Sequence, residues 1–267
     1  MPRLILCADD FAFSREVSET IAALARAGKL NATGCMTLMP GWPRDAALLA
    51  DLPPTVQVGL HLTLTQEQPL TVIPGLAPAG TLPDIDPLTV RAMLRRVPLA
   101  EIAGEVAAQF DAFVAAMGRP PDFVDAHQHA HTLPGIREIV LAETASRAPD
   151  AWVRVCSDSL RAMAARPFLG KAIGSAFHAR GLGRAAARHG LRCNDGFAGH
   201  YGFAGDYGAL FPRFLRRPGA LHVVMCHPGA GEREGDGIAA ARRGEAAALH
   251  ALPVAALAAA AGLAFPA

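Results

Sequence analysis

Short apolar runs alternate along the chain with longer segments in which apolar residues recur at helical spacing. The runs that have the length of strands cover residues 4–8, 32–38, 56–60, 123–126, 152–156 and 221–226. The segments of helical period cover residues 14–27, 99–117, 135–145, 181–189, 207–215 and 238–252. This alternation predicts an α/β fold in which helices pack around a mostly parallel sheet.

The first helical segment shows how its ends are specified. Ser14 is a good N-cap, Val17 and Ile21 lie on one face, and Gly28 follows the last turn as a stop signal. The Ala-rich segment 249–265 is interrupted by Pro253 and predicts a buried helix followed by a strand.

Residues 69–98 are rich in Pro and Gly and predict an irregular excursion over one rim of the fold. Its apolar residues Leu70, Val72, Ile73 and Leu76 would supply an apolar rim if the substrate carried a lipid.

Length and charge narrow the class of protein. A chain of 267 residues that is 51% hydrophobic can bury a large core, and one domain over residues 1–267 is the better expectation. With 25 basic and 24 acidic residues, the formal charge of +1 argues against nucleic-acid binding.

The N-terminal residues, the length of the apolar stretches and the spacing of the cysteines predict where the protein is located and the state of its thiols. No signal peptide follows Met1 and no apolar stretch is long enough for a transmembrane segment, which predicts a cytoplasmic protein. The five cysteines form no CxxC pair and are expected to be free thiols. A homo-oligomer is compatible with the sequence, but no pattern identifies an interface.

Four of the predicted strands end in acidic or imidazole side chains. The residues at these ends are Asp9 and Asp10, His61, Asp125 and His127, and His227. Because the C-terminal ends of parallel strands converge at one mouth of a barrel, the pattern predicts a single site.

Two imidazoles and one carboxylate are a suitable ligand set for a hydrolytic metal with open positions for water and substrate. Such a set suits zinc, cobalt, nickel or iron(II), and magnesium if waters complete an octahedron. The sequence therefore predicts one divalent metal ion without choosing among these.

Polar side chains recur at every second residue from Asp125 through His127 and His129 to His131. In extended geometry all four would share one face. One of them would bind the metal, and the others would orient the imidazole ligands or hold substrate. Arg154 lies in an otherwise apolar strand, where it either points inward towards Asp9 or substrate or lies on a solvated edge.

These motifs resemble those of the YdjC-like carbohydrate deacetylases, which include chitooligosaccharide deacetylases and deacetylases associated with hopanoid biosynthesis. The resemblance rests on residues 8–11 (ADDF), 59–62 (GLHL), 125–131 (DAHQHAH) with Pro134, and 225–228 (MCHP), and it extends from residue 4 to about residue 252. It implies a distorted β/α, TIM-like barrel with the active site at the C-terminal ends of the strands.

The resemblance also implies individual roles. Asp10, His61 and His127 would be the metal ligands, Asp9 the general base and His227 the general acid. The substrate would be an N-acetylated sugar or glycolipid, from which acetate is released to leave a free amine. The family usually has Gly after ADDF, whereas this chain has Ala12, which predicts a different loop conformation because Ala disfavours positive φ.

Two other classes of function remain open. A phosphoesterase or an amidohydrolase could use a similar barrel and metal, although amidohydrolases carry His-x-His near the first strand, where this chain has Asp9 and Asp10. The barrel could also be a sugar-binding module without catalysis, but the retention of Asp9 and His227 beside all three candidate ligands argues against this.

Overall fold

Eight parallel strands form one sheet in the computed structural model, which describes residues 1–266. The strands are β1 (Arg3–Phe11), β2 (Ala32–Cys35), β3 (Gln57–Leu62), β4 (Phe123–Ala126), β5 (Trp152–Val153), β6 (Arg192–Cys193), β7 (Gly196–Ala198) and β8 (Leu221–Cys226). Their order across the sheet is β6-β5-β4-β3-β2-β1-β8-β7. The sheet curls into a half-barrel, which confirms the predicted α/β, barrel-like fold.

The barrel does not close by hydrogen bonds. β6 and β7 stand at the two ends of the strand order, and over residues 1–266 no ladder joins them. They are also the two strands that the apolar pattern did not predict, and they have two and three residues, respectively.

Eleven α-helices are described within residues 1–266. They are α1 (Arg15–Arg26), α2 (Trp42–Asp45), α3 (Ile85–Met93), α4 (Leu99–Met117), α5 (Ile136–Arg147), α6 (Leu160–Ala164), α7 (Leu169–His178), α8 (Leu182–Arg188), α9 (Tyr207–Phe214), α10 (Ala239–Ala251) and α11 (Val254–Ala260). The six predicted helices are all present within two residues at each end.

The structure also corrects the sequence-based picture in places. The segment 69–98 was expected to be irregular but contains α3, and the helices α2, α6 and α7 were not predicted. The strands predicted over residues 32–38 and 152–156 are shorter than expected. The C-terminal segment was expected to form a buried helix and a strand, but only Val254 and Ala258 of α11 are buried, and a single parallel bridge between Ala264 and Arg3 takes the place of the strand.

Alternate residues of β1 belong to two of the three clusters that make up the core. Leu4, Leu6 and Ala8 of β1 belong to the large cluster that includes the helices. Ile5 and Cys7 belong to a second cluster, together with Phe123, Trp152, Val223 and Met225 from other strands. This period of two is expected of strands that are buried on both faces, and it assigns the second cluster to the barrel interior.

Glycines in β2 and β3 allow side chains to approach the backbone inside the barrel. A Cβ at Gly59 would lie 2.5 Å from ring atoms of Phe123, and one at Gly34 would lie 3.1 Å from Nδ1 of His61. A side chain at Gly59 would therefore displace Phe123, and one at Gly34 would press on His61.

Two local predictions, the N-cap of α1 and the free state of the cysteines, are confirmed. The Ser14 hydroxyl accepts a hydrogen bond from the amide of Val17, as an N-cap should. All five cysteines are free.

None of the helices within residues 1–266 combines the length and the apolar character needed to cross a bilayer.

The end of β1 departs from regular strand geometry. Asp10 has φ of 67° and Ala12 has φ of 74°, and the register with β2 shifts between Ala8 and Phe11. The expectation that Ala12 changes the loop because it avoids positive φ is wrong, since Ala12 adopts the left-handed conformation. Its amide donates to the Ser18 hydroxyl at 3.0 Å, which helps to hold it there.

Ala12→Gly should therefore stabilise the protein by roughly 0.5–1 kcal/mol, because Gly relieves the left-handed strain at the cost of a more flexible unfolded chain. The free energy of unfolding measured by urea titration checks this. The same change at exposed Ala23 in α1 is the control and should destabilise by about 1 kcal/mol. Equal losses in both variants would contradict strain at Ala12.

Candidate active site

A cavity of about 890 Å³ opens at the C-terminal ends of the strands. Its volume lies in the range of small-molecule sites. The candidate residues that line it are Asp9, Asp10, His61, His127, His129 and His227. The structure thus brings six residues from four separate chain segments to one place, as the converging strand ends predicted.

The bulge in β1 explains how two consecutive aspartates reach the same cavity. Successive residues of a regular strand point to opposite faces of the sheet. Asp9 continues the inward face of Ile5 and Cys7, and the left-handed conformation of Asp10 breaks the alternation after it. Both side chains consequently line the cavity and are almost completely buried.

Asp10, His61 and His127 form a compact cluster. Oδ1 of Asp10 lies 3.4 Å from Nε2 of His61 and 2.8 Å from Nδ1 of His127. One ligand atom from each of the three residues lies within 4.8 Å of the other two. Burial alone would raise the pKa of Asp10, but His127 and Arg242 outweigh this and hold it well below its ordinary value, so the carboxylate is ionised.

Asp125 fixes the orientation of His61. Its Oδ1 lies 2.6 Å from Nδ1 of His61, which leaves Nε2 directed towards Asp10. Burial lowers the pKa of His61, but Asp125 and Asp9 outweigh it and raise the pKa to about 10. A carboxylate behind the remote ring nitrogen is the usual arrangement for a histidine that binds metal.

Arg154 points inward and joins Asp9 to Asp125. Its Nη1 and Nη2 donate to the two oxygens of Asp9 at 2.7 Å each, and Nη2 also lies 2.7 Å from Oδ2 of Asp125. The contact with Asp125 is an ion pair without good hydrogen-bond geometry, since Oδ2 has no hydrogen-bond partner. All three side chains are buried, so the alternative of a solvated edge strand is wrong for Arg154.

Arg154 also sets the charge of its neighbours. Burial would raise the pKa of Asp9, but Arg154 and then His61 outweigh it and lower the pKa. Cys7, Asp9 and Asp125 form a second group with metal-ligand chemistry. The guanidinium already lies between these two carboxylates and takes the place of a cation there.

The run of alternating polar residues does not continue as a strand. β4 ends at Ala126, residues 127–132 form a 3-10 turn, and Gln128 and His129 have φ of 51° and 61°. The expectation that Asp125, His127, His129 and His131 share one extended face is therefore wrong. The left-handed residues separate the three imidazoles instead.

His129 and His131 have different surroundings as a result. His129 lines the cavity beside His200, with their ring centroids 6.1 Å apart. His131 does not line it, and its Nε2 donates to the backbone carbonyl of Arg154 at 2.8 Å. Burial lowers the pKa of His131 to about 4, so its neutral ring braces the strand that carries Arg154.

His227 follows β8 and lies on the cavity wall against Phe203, with ring centroids 5.4 Å apart. Its backbone amide donates to Glu245, which also accepts a hydrogen bond from the Tyr201 hydroxyl. Burial and the nearby Arg242 lower the pKa of His227 to about 4 against the opposing effect of Asp10 and Asp9. Burial raises the pKa of Glu245 to about 7.

Arg242 is a site residue that the sequence analysis missed. From α10 its Nη2 donates to Oδ2 of Asp10 at 2.8 Å, while Nε donates to Asp236 at 2.9 Å. Arg242 and Glu245 share the buried face of α10 with Leu249. The spacing of three and four residues was the available signal, because it places these charges on the stripe that normally faces a core.

The rim of the cavity also differs from the expectation for residues 69–98. Ile73 and Leu76 are buried in the core, so they cannot contribute to an apolar rim, although Leu70 and Val72 are exposed. On the cavity wall, Arg233 forms a two-pronged ion pair with Glu67 at 2.7 and 2.8 Å and stacks over Phe13.

Comparison with known proteins agrees with these features. Residues 3–260 match the family model described as YdjC-like protein. The chain belongs to the YdjC-like family. This confirms the resemblance that the motifs indicated.

Proteins named chitooligosaccharide deacetylase are among the relatives of this YdjC-like protein. The one from Proteus mirabilis (strain HI4320) is 39% identical over 137 residues, which are 51% of this chain and 53% of that protein. The one from Enterobacter sp. (strain 638) is 37% identical over 144 residues, 54% of this chain and 56% of that protein. The matches thus span about half the length of these curated relatives.

A solved structure shares the fold. The protein from Enterococcus faecalis V583, named as a candidate cellobiose-phosphate cleavage protein, superposes with a TM-score of 0.75. The match covers 99% of this chain and 97% of that chain at 20% sequence identity.

The interior position of Arg154 predicts a large stability loss on removal. Arg154→Met should cost about 3–5 kcal/mol, because Asp9 and Asp125 would remain buried without their cation. Arg119→Met is the matched control, since Arg119 pairs with Asp122 where both are more than one-third exposed, and it should cost at most about 1 kcal/mol. Urea unfolding of both variants checks this, and similar losses would refute the special role of Arg154.

Proposed function

We propose that this chain is a metal-dependent hydrolase that removes the acetyl group from an N-acetylated amino sugar or glycoconjugate. The observation that carries the proposal is the convergence of Asp10, His61 and His127 on one point of the cavity beside Asp9. The names of the relatives support the choice of an N-acetylated sugar as substrate.

The three ligands fit a divalent cation in chemistry and in arrangement. They supply one carboxylate oxygen and two imidazole nitrogens, a set that suits zinc, cobalt, nickel or magnesium with waters. Asp10 is held from its other oxygen by Arg242, and His61 from its other nitrogen by Asp125. When bound, the cation would polarise the acetamide carbonyl and favour ionisation of a water molecule.

Asp9 is the proposed general base. It lines the cavity next to the metal ligands, and the two bonds from Arg154 hold the carboxylate in one orientation. Its lowered pKa keeps it ionised, and therefore able to accept a proton, throughout the neutral range. The same low pKa makes it a weak base, so its main contribution is to position the attacking water and accept its proton as the new C–O bond forms.

His227 is the proposed general acid for the departing amine. With a pKa of about 4, the ring is neutral at rest, and it must take up a proton during the reaction before it can deliver one to nitrogen. Glu245 fixes the backbone amide of His227 and thereby the position of the ring. The proton that Asp9 takes from the water passes to the His227 ring, which delivers it to the amine nitrogen as the C–N bond breaks, so that the protons balance.

The direct test is acetate release from a panel of N-acetylated sugars and chitooligosaccharides by chelator-treated protein, with and without added Zn²⁺, Co²⁺ or Mg²⁺. We expect metal-dependent release that falls by at least about 100-fold in Asp9→Asn and in His127→Ala. His189→Ala is the control, because His189 is exposed on the surface, and it should retain full activity.

The same preparations should be assayed with phosphate esters. Metal-dependent phosphate release without acetate release would replace this proposal with a phosphoesterase. Binding of sugars by folded protein with neither activity would favour a sugar-binding barrel.

Metal binding supplies a second test that does not depend on turnover. Asp125→Asn should weaken Zn²⁺ affinity by about 10- to 100-fold in a chelator competition, because His61 loses the carboxylate that orients it. The affinity of the unmodified protein should rise with pH up to about 10, because the cation must displace the proton of His61. Asp122→Asn, on the same chain segment but away from the cavity, should leave the affinity unchanged. Equal affinity in all three proteins would contradict the role of Asp125 in orienting His61.

A further inference from the structure

Helix α7 carries an apolar stripe that nothing in the described chain covers. Leu169, Ile173 and Phe177 are spaced four residues apart and therefore lie along one face of the helix. They are 39%, 47% and 52% exposed, and α7 has no buried residue. An amphipathic helix of a globular domain normally turns such a stripe towards the core.

Two more apolar side chains extend this surface. Leu160 of α6 is 73% exposed, and Phe168 immediately precedes α7. Leu160, Ile173 and Phe177 line one open groove of about 640 Å³ together with Arg180 and Arg184. We define the α7 face by its apolar members, Leu160, Phe168, Leu169, Ile173 and Phe177.

The unpaired charges around the α7 face are basic, since Asp158, which also lines the groove, is paired with Arg166. Residues 159–192 include seven basic residues and no acidic residue, although the whole chain has a net charge of only +1. Arg161, Lys171, Arg180 and Arg184 are exposed, and none of them pairs with a carboxylate of residues 1–266. Arg166 is the exception in this segment, since it is buried against Asp158.

We propose that the α7 face docks on an anionic lipid bilayer. Exposed aromatic and aliphatic side chains beside unpaired Lys and Arg are the composition with which amphipathic helices bind at a membrane surface. The apolar stripe would enter the interface between headgroups and acyl chains, while the basic side chains would contact the anionic headgroups.

Charge argues against a second copy of this chain as the occupant. A two-fold dimer places the same patch on both sides of the interface. The exposed basic residues of one copy would then meet those of its partner, and residues 159–192 contain no acidic residue to balance them. An anionic surface complements the patch, whereas a copy of itself repels it.

The α7 face lies next to the mouth of the candidate active site. Lys171 of the same helix lines the cavity and donates to the backbone carbonyl of Tyr201 at 2.8 Å. Its ammonium group also lies 5.3 Å from the ring centroid of Phe203. Docking through α7 would therefore hold the cavity mouth close to the bilayer surface, whatever reaction the cavity performs.

The test is flotation of the purified full chain with vesicles of phosphatidylcholine alone or with about 30% phosphatidylglycerol. Binding is expected only to the anionic vesicles and should fall steeply as salt rises from 50 to 500 mM, because basic residues near the surface are screened. A Phe177→Trp variant should show a blue-shifted indole emission on anionic vesicles alone.

Matched variants distinguish vesicle binding through the α7 face from nonspecific binding by other surfaces. Ile173→Ser with Phe177→Ser should reduce vesicle binding by about tenfold or more, and Arg180→Gln with Arg184→Gln by about 30-fold. Val90→Ser with Met93→Ser, and Arg95→Gln with Arg96→Gln, change exposed residues on and beside α3 and should leave binding intact. Thermal unfolding of each variant checks that it remains folded at the temperature of the assay, since Ile173 and Phe177 are only about half exposed.

Several outcomes would overturn the proposal. One is the absence of flotation with anionic vesicles, and another is flotation that the α7 variants and the α3 controls reduce equally. A dimer in solution that Ile173→Ser with Phe177→Ser dissociates, without any vesicle binding, would assign the face to a second copy. Vesicle binding is measured without substrate or metal, so this result is independent of the proposed deacetylase activity.

Discussion

A buried guanidinium inside the barrel is the interaction on which the arrangement of the site depends. Arg154 places one cation between Asp9 and Asp125, in an interior that is apolar in the layers below. This guanidinium outweighs the effect of burial on Asp9 and holds the pKa of that carboxyl below its ordinary value. Asp125 in turn orients His61, and His61 faces Asp10. Arg154, the residue that follows β5, therefore organises side chains that three other strands supply.

The layering of the barrel makes this charge network possible. The inward positions of β1, β4 and the chain after β5 run from Ile5, Phe123 and Trp152 to Asp9, Asp125 and Arg154. Each strand thus changes from apolar to charged side chains along the same face. The lower layer excludes water and fixes the strands, while the upper layer has enough opposite charge to offset the cost of burial.

Backbone conformation contributes as much as side-chain chemistry. Left-handed residues occur at the ends of two of the strands that enter the site, at Asp10 within β1 and Ala12 just after it, and at Gln128 and His129 after β4. Such residues cost free energy, and the surrounding hydrogen bonds maintain them. Their effect is to end the alternation of the strand, which aims Asp10 into the cavity and separates His127 from His129 and His131.

The sequence by itself determined the family, the parallel α/β architecture and the strand ends at which the polar residues collect. These features follow from local periodicity and from motifs, both of which are written in consecutive residues. The tertiary structure alone decided the rest. Arg242 lies 232 residues from its partner Asp10, and Glu245 contacts His227 and Tyr201 on other segments of the chain. Only the packing of α10 against the barrel brings these side chains to the site.

Whether several apolar residues are buried or exposed was also determined by tertiary packing. Ile73 and Leu76 were expected to contribute to an apolar rim but are buried. The apolar stripe of α7 has the spacing of a helix that packs on a core but is exposed. A pattern of apolar residues specifies that a face exists but not which neighbour covers it. That depends on contacts between segments distant in the chain, and no local spacing encodes them.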